Sequence, residues 1–323
     1  MLLPIRTCIV IPAYNEEHAI EHTIDDYRNE FPDATIVVID NNSSDRTGAL
    51  AAAKLESGGG CLLVETRQGK GAAIKAGLSR IDAEIYVMAD GDGTYPASDA
   101  RRLVDKMLRE RCDMVVGDRI SGGTYMAQNT RAGHSAGNKF LTRYISSLAG
   151  QRYADVLSGL RVMSRPFVSA LDIRSSGFQL ETELNIVAAY MRAKVVEMPI
   201  AYLPRPEGSQ SKLNTFRDGF RIIWFAALNW IAFYPLSAFG LLAGAALFVS
   251  ALLGSWVIYV FVSTGLLPYP STALAAAVAG LVGLQSLFTG MSLRVTGRTA
   301  RRRDVARMVE MRRKWNASLD GLE

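Results

Sequence analysis

Two carboxylates stand two residues apart in Asp90-Gly91-Asp92, directly after the apolar run 85–89. Just past a strand, such a pair can face one hard divalent cation, Mg2+ or Mn2+. The cation can bridge the pair to a diphosphate and stabilise it as a leaving group. An Asp-Gly pair is also an ordinary turn, so the motif gains meaning from what accompanies it. Val10-Ile11-Pro12-Ala13-Tyr14-Asn15-Glu16-Glu17 and Val37-Val38-Ile39-Asp40-Asn41-Asn42-Ser43-Ser44-Asp45 likewise place polar groups straight after apolar runs. Asp40 can hydrogen-bond a ribose or a base, which also fits a dinucleotide or methyl-donor enzyme. The turn at Pro12–Glu17 has no G-x-G-x-x-G, so the dinucleotide reading loses its main support.

The elements that must position these groups alternate. Strands are expected over residues 7–11, 34–39, 61–65, 84–89 and 113–117, with helices over 16–30, 44–56, 70–80 and 97–111. That order predicts an α/β unit with a largely parallel sheet covered on both faces. Ligands then bind beyond the carboxyl ends of the strands, at 12–17, 40–45, 69–71 and 90–96. From 121 to 206 the pattern loosens: a helix is expected over 131–148, a strand over 160–163, a helix over 181–191 and a strand over 194–203. Pro204 and Pro206 mark a break.

Residues 222–293 contain no Asp, Glu, Lys or Arg, too long a run for one buried helix. Two spans are expected, 236–261 and 271–293, joined by the turn Leu267-Pro268-Tyr269-Pro270. Before them, 213–231 has the spacing of an amphipathic helix lying in the membrane interface, with Trp224 and Trp230 at headgroup level. Ala276 with Gly280, or Ala279 with Gly283, permits close helix packing, and a homo-oligomer through the spans is compatible with it. From Arg294 onward there are nine basic and four acidic residues, whereas 1–221 holds 27 of each. The neutral front domain excludes a basic nucleic-acid groove. The positive-inside bias places both termini in the cytoplasm, at the inner membrane. The N-terminus is too short for a signal peptide before Asn15 and Glu16. Cys8, Cys61 and Cys112 lack metal-type spacing and are expected to be buried free thiols.

Together these motifs resemble the inverting family 2 glycosyltransferases, and more closely their polyprenyl-phosphate branch, which includes dolichol-phosphate mannose synthases and bacterial polyprenyl-phosphate glucosyltransferases. The matching segments are 12–17, 40–45, Gly69-Lys70-Gly71, 90–96, Val115-Val116-Gly117-Asp118-Arg119, Ser158-Gly159-Leu160-Arg161 and 207–214. The resemblance implies a nucleotide-sugar-binding A-type glycosyltransferase domain (1–210), an interfacial helix (211–232), two transmembrane helices (233–293) and a basic cytoplasmic tail (294–323). It implies metal-dependent, inverting transfer of a hexose from a UDP- or GDP-sugar to polyprenyl phosphate. Pro12, Tyr14, Glu16 and Asp40 would hold base and ribose, with Lys70 near the nucleotide. Asp90 and Asp92 would take Mg2+ or Mn2+. Arg119, Arg131, Ser135 and Lys212 would hold the acceptor phosphate, as cations and hydroxyls at an interface can. Asp155 is placed either to orient the acceptor or a sugar hydroxyl, or to cap a turn. Glu181 and Glu183 suit either the sugar or a helix dipole. Mannose synthases often carry Asp-Ala-Asp-Leu-Gln where this chain has Asp-Gly-Asp-Gly-Thr, which leaves the donor base open. A processive polysaccharide synthase would show Gln-x-x-Arg-Trp and more spans, and Gln151-Arg152-Tyr153 does not fit. A non-catalytic membrane adaptor would not need acids after the second and fourth strands.

Overall fold

The computed structural model describes residues 6–56, 58–123, 134–209 and 215–320. The chain divides into two compact units, Met1–Ala226 with Asp304–Glu323, and Ala227–Arg303. In the first, β1 (Thr7–Ala13), β2 (Thr35–Asp40), β3 (Cys61–Val64), β4 (Ile85–Met88), β5 (Met114–Asp118), β6 (Arg161–Ser164) and β7 (Val195–Pro199) form one sheet, ordered β3-β2-β1-β4-β6-β5-β7. All neighbours run parallel except β6, which is antiparallel to β4 and β5. The central strands are continuous apolar runs, as a sheet covered on both faces requires; Ile9, Val10, Ile11, Ile85, Val87, Val115 and Val116 are fully buried. The connections carry α1 (Ile20–Glu30), α2 (Thr47–Glu56), α3 (Lys70–Leu78), α4 (Ala97–Glu110), α5 (His134–Ala149), α6 (Arg165–Ser169) and α7 (Leu180–Met191). Because β6 runs against the others, its leading end lies at the same edge as their carboxyl ends. The turns after β1, β2, β4, β5 and β7 and the turn before β6 therefore meet at one edge of the sheet.

Two expected elements are shorter than expected for identifiable reasons. The first helix starts at Ile20 rather than Glu16, because the Glu16 and Glu17 N–H groups donate to Thr47 Oγ1 (2.8 Å) and Asp45 Oδ2 (3.2 Å). The last strand stops at Pro199 instead of running to 203. Beyond it Ala201 N donates to Asp99 Oδ2 (2.7 Å) and Leu203 N to the Thr94 carbonyl (2.9 Å), which pulls the chain across the top of the sheet.

Three further helices follow: α8 (Thr215–Phe233), α9 (Pro235–Thr264) and α10 (Pro270–Asp320). On α8, Phe220, Trp224, Leu228 and Ile231 lie exposed on successive turns, a single apolar stripe. Both α9 and α10 are long and apolar enough to cross a membrane. Within the second unit Ser250 Oγ donates to the Ala276 carbonyl at 2.7 Å. A Cβ on Gly280 would come within 2.9 Å of Ser250 Oγ, and one on Gly283 within 2.7 Å of Leu247. Small residues thus set the close approach of these helices.

The basic tail is not a loose extension. It continues α10 without a break, and Met308, Trp315 and Leu319 are buried in the first unit. Trp315 and Leu319 belong to its main core together with Phe31, Leu103, Met107 and Cys112. Arg312 grips buried Asp113 through Nε (2.8 Å) and Nη2 (2.5 Å), and Arg111 Nη2 reaches Asp320 at 2.8 Å. The expectation of three buried thiols is corrected at one position: Cys61 lies exposed on the edge strand β3, while Cys8 and Cys112 are buried.

Trp315→Ala is expected to lower the stability of the first unit by about 3 kcal/mol, by loss of burial and creation of a cavity, read from urea unfolding of the full chain. Burial pushes the Cys8 thiol up to about 12 and Cys112 to about 11. Since the thiolate is the nucleophile, iodoacetamide at mildly alkaline pH should label the native protein at Cys61 alone, as mapped by mass spectrometry.

Candidate active site

The turns after β1 and β2 are sewn together. Asn15 takes a left-handed backbone with φ 53°, a conformation Asn tolerates. Its Oδ1 accepts from Ser44 N at 2.8 Å, and its own N–H donates to Ser43 Oγ at 3.1 Å. Asp40 Oδ1 accepts from Ser43 N at 3.1 Å, and a Cβ at Gly48 would come within 2.9 Å of Asp40 Oδ2. Half-buried Pro12, Tyr14 and Asp40 and buried Glu16 are thereby held on one rigid shelf. Asn41 fixes the next turn, donating to the Glu65 and Arg67 carbonyls and accepting from Gly69 N at 2.6 Å.

Lys70 opens α3. Gly69, at φ 132°, and Gly71 lie against the Ser176 and Ser175 carbonyls, where no side chain fits. The Lys70 ammonium bridges Asp90 and Glu181, the latter at 2.6 Å from the first turn of α7. Burial disfavours its charge, but the two carboxylates outweigh that and its pKa is raised. Asp92, two residues on, is almost wholly enclosed. Its Oδ1 accepts from Thr94 N (3.1 Å) and Thr94 Oγ1 (2.6 Å), and its Oδ2 pairs with Arg205 Nη2 at 2.6 Å. Burial, then the charge of Asp90, pushes the Asp92 pKa up against the opposing pull of Arg205 and Thr94. Arg205 Nη1 also stands 4.0 Å from Glu16 Oε1, and Glu16 Oε2 accepts from Ser209 Oγ at 2.7 Å.

Among the described residues no three His, Cys, Asp or Glu side chains gather into a closed metal cage. What Asp90 and Asp92 offer is two carboxylates two residues apart, the Asp90 side chain 26% exposed and that of Asp92 6%. That donor set fits a cation such as Mg2+, which takes one or two protein carboxylates and completes its shell with water and substrate phosphates.

The other end of the site is built on β5, β6 and β7. Arg119 and Asp155 form a buried two-pronged pair, Nε–Oδ2 2.6 Å and Nη2–Oδ1 2.9 Å. Asp155 is in turn held by Glu197 on β7, whose carboxylate accepts from Ala154 N (2.8 Å) and Asp155 N (3.1 Å). The Arg119 guanidinium lies over Tyr202, 5.6 Å from its centroid, and Tyr202 meets Tyr95 edge-on. Tyr95 Oη accepts from Gly159 N at 2.8 Å. Gly159 connects the two halves, since a Cβ there would come within 2.5 Å of Asp90 Oδ2 and 3.0 Å of Lys70 Nζ. Arg161, fully buried, donates to the Ser158 and Val156 carbonyls and to Asn185 Oδ1 and so fixes the whole 155–161 turn.

Of the residues singled out in the sequence, Lys70, Asp90 and Asp92 converge, Pro12, Tyr14, Glu16 and Asp40 share the adjoining shelf, and Arg119 and Asp155 form one ion pair rather than two separate groups. Asp155 also accepts from Leu157 N at 3.2 Å, so capping and ion pairing coexist. Glu183 is taken up by Arg174 N and Ser175 and does not face the site as a sugar ligand. Arg131 and Lys212 lie outside the described residues, and of Ser135 only its place at the start of α5 is described. Arg205, Glu197 and Tyr95 were missed. Arg205 sits between two prolines that read only as a break, and Tyr95 adjoins the acidic motif. Glu197 stands within an expected strand, and no sequence signal marks it.

The chain matches the family model "Glycosyl transferase family 2" over residues 8–171. It is 38% identical to the glycosyltransferase AglJ of Haloferax volcanii across 68% of this chain and 70% of that protein. It is 26% identical to an undecaprenyl-phosphate mannosyltransferase of Micrococcus luteus across 70% of this chain and 96% of that protein. Among solved structures, glucosyl-3-phosphoglycerate synthase of Mycobacterium tuberculosis with Mn2+, UDP and phosphoglyceric acid superposes with a TM-score of 0.56 at 21% identity, covering 70% of this chain and 78% of that one. That likeness is one of fold: a mostly parallel sheet of the nucleotide-sugar-binding A type. The acidic turns at the sheet edge, the matched residues 8–171 and the AglJ relationship agree, and the chain belongs to glycosyl transferase family 2 as a glycosyltransferase.

Proposed function

We propose that the protein transfers a hexose from a UDP- or GDP-sugar to a polyprenyl phosphate, with inversion at the anomeric carbon, at the cytoplasmic face of a membrane. The observation that carries this reading is one sheet edge holding an acidic pair at one end, Asp90 and Asp92, and a fixed guanidinium, Arg119, at the other. The donor lies on the Pro12, Tyr14, Glu16 and Asp40 shelf with its diphosphate toward Asp90 and Asp92. Asp90 and Asp92 would hold Mg2+ or Mn2+ there, and the ion would supply charge neutralisation for the leaving diphosphate. Lys70 holds Asp90 in place. Arg119, with Arg131, Ser135 and Lys212, receives the acceptor phosphate. A phosphate monoester has its second pKa at about 6, so at neutral pH one of its oxygens is already a nucleophile and no side chain need remove a proton. That oxygen bonds to the anomeric carbon as the bond to the nucleoside diphosphate breaks, and both electrons of that bond leave with the diphosphate.

A lipid acceptor is supported by the Micrococcus luteus relative, named for undecaprenyl phosphate, and by two helices long enough to cross a membrane. The exposed apolar stripe of α8 suits the bilayer interface. Divalent-metal use is supported by the mycobacterial structure with Mn2+ and UDP. With this reading goes the domain plan of 1–210 catalytic, 211–232 interfacial, 233–293 spanning and 294–323 a basic cytoplasmic tail, of which 304–323 belongs to the first unit, with both termini cytoplasmic.

Full-length protein in detergent, given radiolabelled UDP-glucose or GDP-mannose, Mg2+ and polyprenyl phosphate, is expected to yield a lipid-linked monosaccharide on thin-layer chromatography. Asp92→Ala should lower that rate by more than about 100-fold. No transfer from any donor tried would sink the reading, and polymer without a lipid-linked monosaccharide would point to a processive synthase. Gly159→Ala should cost about 100-fold in kcat, since its Cβ displaces Asp90 and Lys70, while the melting temperature stays within a few degrees of wild type.

A further inference from the structure

Among the ion pairs of the site, the one between Arg205 and Asp92 has a property that the Lys70 bridge lacks. Lys70 is 10% exposed and shared between two carboxylates, so it is locked. The Arg205 side chain is 28% exposed and pairs with Asp92 Oδ2 through Nη2 at 2.6 Å. Its backbone is anchored: Leu203 N is tied to the Thr94 carbonyl, and the flanking Pro204 and Pro206 fix the chain direction. A tethered backbone with a long, partly solvated side chain can move its guanidinium without refolding. A second carboxylate is already near, Glu16 Oε1 at 4.0 Å from Nη1.

Asp92 explains why a cation must be there. Its side chain is 6% exposed and shares its surroundings with the like charge of Asp90. A carboxylate so enclosed needs a counter-charge, and Thr94 supplies only neutral hydrogen bonds, both to Oδ1. We propose that Arg205 is a surrogate cation: it occupies Asp92 Oδ2 while no divalent ion is bound, and it must yield that oxygen before Mn2+ or Mg2+ takes it. The proposal rests on the metal-dependent reading above. On leaving, Arg205 turns to Glu16, on the shelf proposed for the donor nucleoside. Metal entry and the donor shelf are then linked through one side chain, and that linkage is reciprocal.

The experiment is titration calorimetry of Mn2+ into nucleotide-free, full-length protein. Removing the competing charge by Arg205→Gln is expected to tighten the Mn2+ Kd roughly tenfold, the order of one screened charge contact. Arg205→Lys, which keeps the charge and is the safer variant for folding, should stay within about threefold of wild type. Asp92→Asn should lose Mn2+ binding, and Arg6→Gln, an exposed cation at the opposite edge of the sheet, should change nothing. A Kd for Arg205→Gln equal to or weaker than wild type overturns the surrogate role while leaving metal dependence intact. No Mn2+ binding by any of the proteins, even with UDP or GDP added, overturns the metal-dependent reading itself.

Discussion

The Lys70 ammonium, enclosed between Asp90 and Glu181, is the constraint around which the site is arranged. Burying three charges in one place is costly unless each has a partner in good geometry, and a buried ion pair adds little net stability. What it contributes is position. Lys70 ties the start of α3 to the turn after β4 and to the start of α7, and the turn carrying Gly159 passes directly over it. Two flanking glycines exist because the backbone there lies against the 175–176 carbonyls. Moving any one of these elements would strand a charge, so the network has a single low-energy arrangement.

From that centre two chains of contacts run in opposite directions. One passes through Asp92 to Arg205 and Glu16, and so to the turns after β1 and β2. The other passes through Gly159 and Tyr95 to Tyr202, Arg119, Asp155 and Glu197. Members of the second chain come from the turns after β4 and β5, the turn before β6, and β7 with the segment after it, brought together because β6 is the one reversed strand. The reversal lets a turn entering a strand face turns leaving strands, which places carboxylate and guanidinium partners from distant parts of the sequence at one edge.

Much of this was legible in the sequence because it is local. Alternating apolar runs give β1 to β5 and their helices within a few residues, since buried parallel strands cannot be written otherwise. The acidic turns at 12–17, 40–45 and 90–92 fall where open α/β sheets expose their carboxyl ends. Pairings across the chain were not legible. Nothing near Arg205 shows that Ala201 and Leu203 leave the sheet to bond Asp99 and Thr94. Nothing near Glu197 distinguishes it from an ordinary polar residue of a strand. For Glu183 the sequence left two roles open, sugar contact or helix terminus, because an acid in the first turn of a helix also suits the dipole and loop N–H groups, and it is loop N–H groups that it binds. Cys61 follows the rule for apolar runs but sits on an edge strand, and edge position is a property of strand order rather than of the run itself.

The continuity of α10 has a practical side. The first unit is discontinuous in sequence: it closes with residues that come after the apolar helices. A soluble fragment made by ending the chain before α9 would discard Trp315 and Leu319 from the core and leave Asp113 without Arg312. A water-soluble form of this enzyme is better built as an excision than as a truncation, with 227–303 replaced by a polar linker so that the terminal helix segment still returns to its seat. Folding of the first unit likewise waits for the segment after the apolar helices, because Trp315 and Leu319 complete the core to which Ile9 and Ile11 of β1 belong.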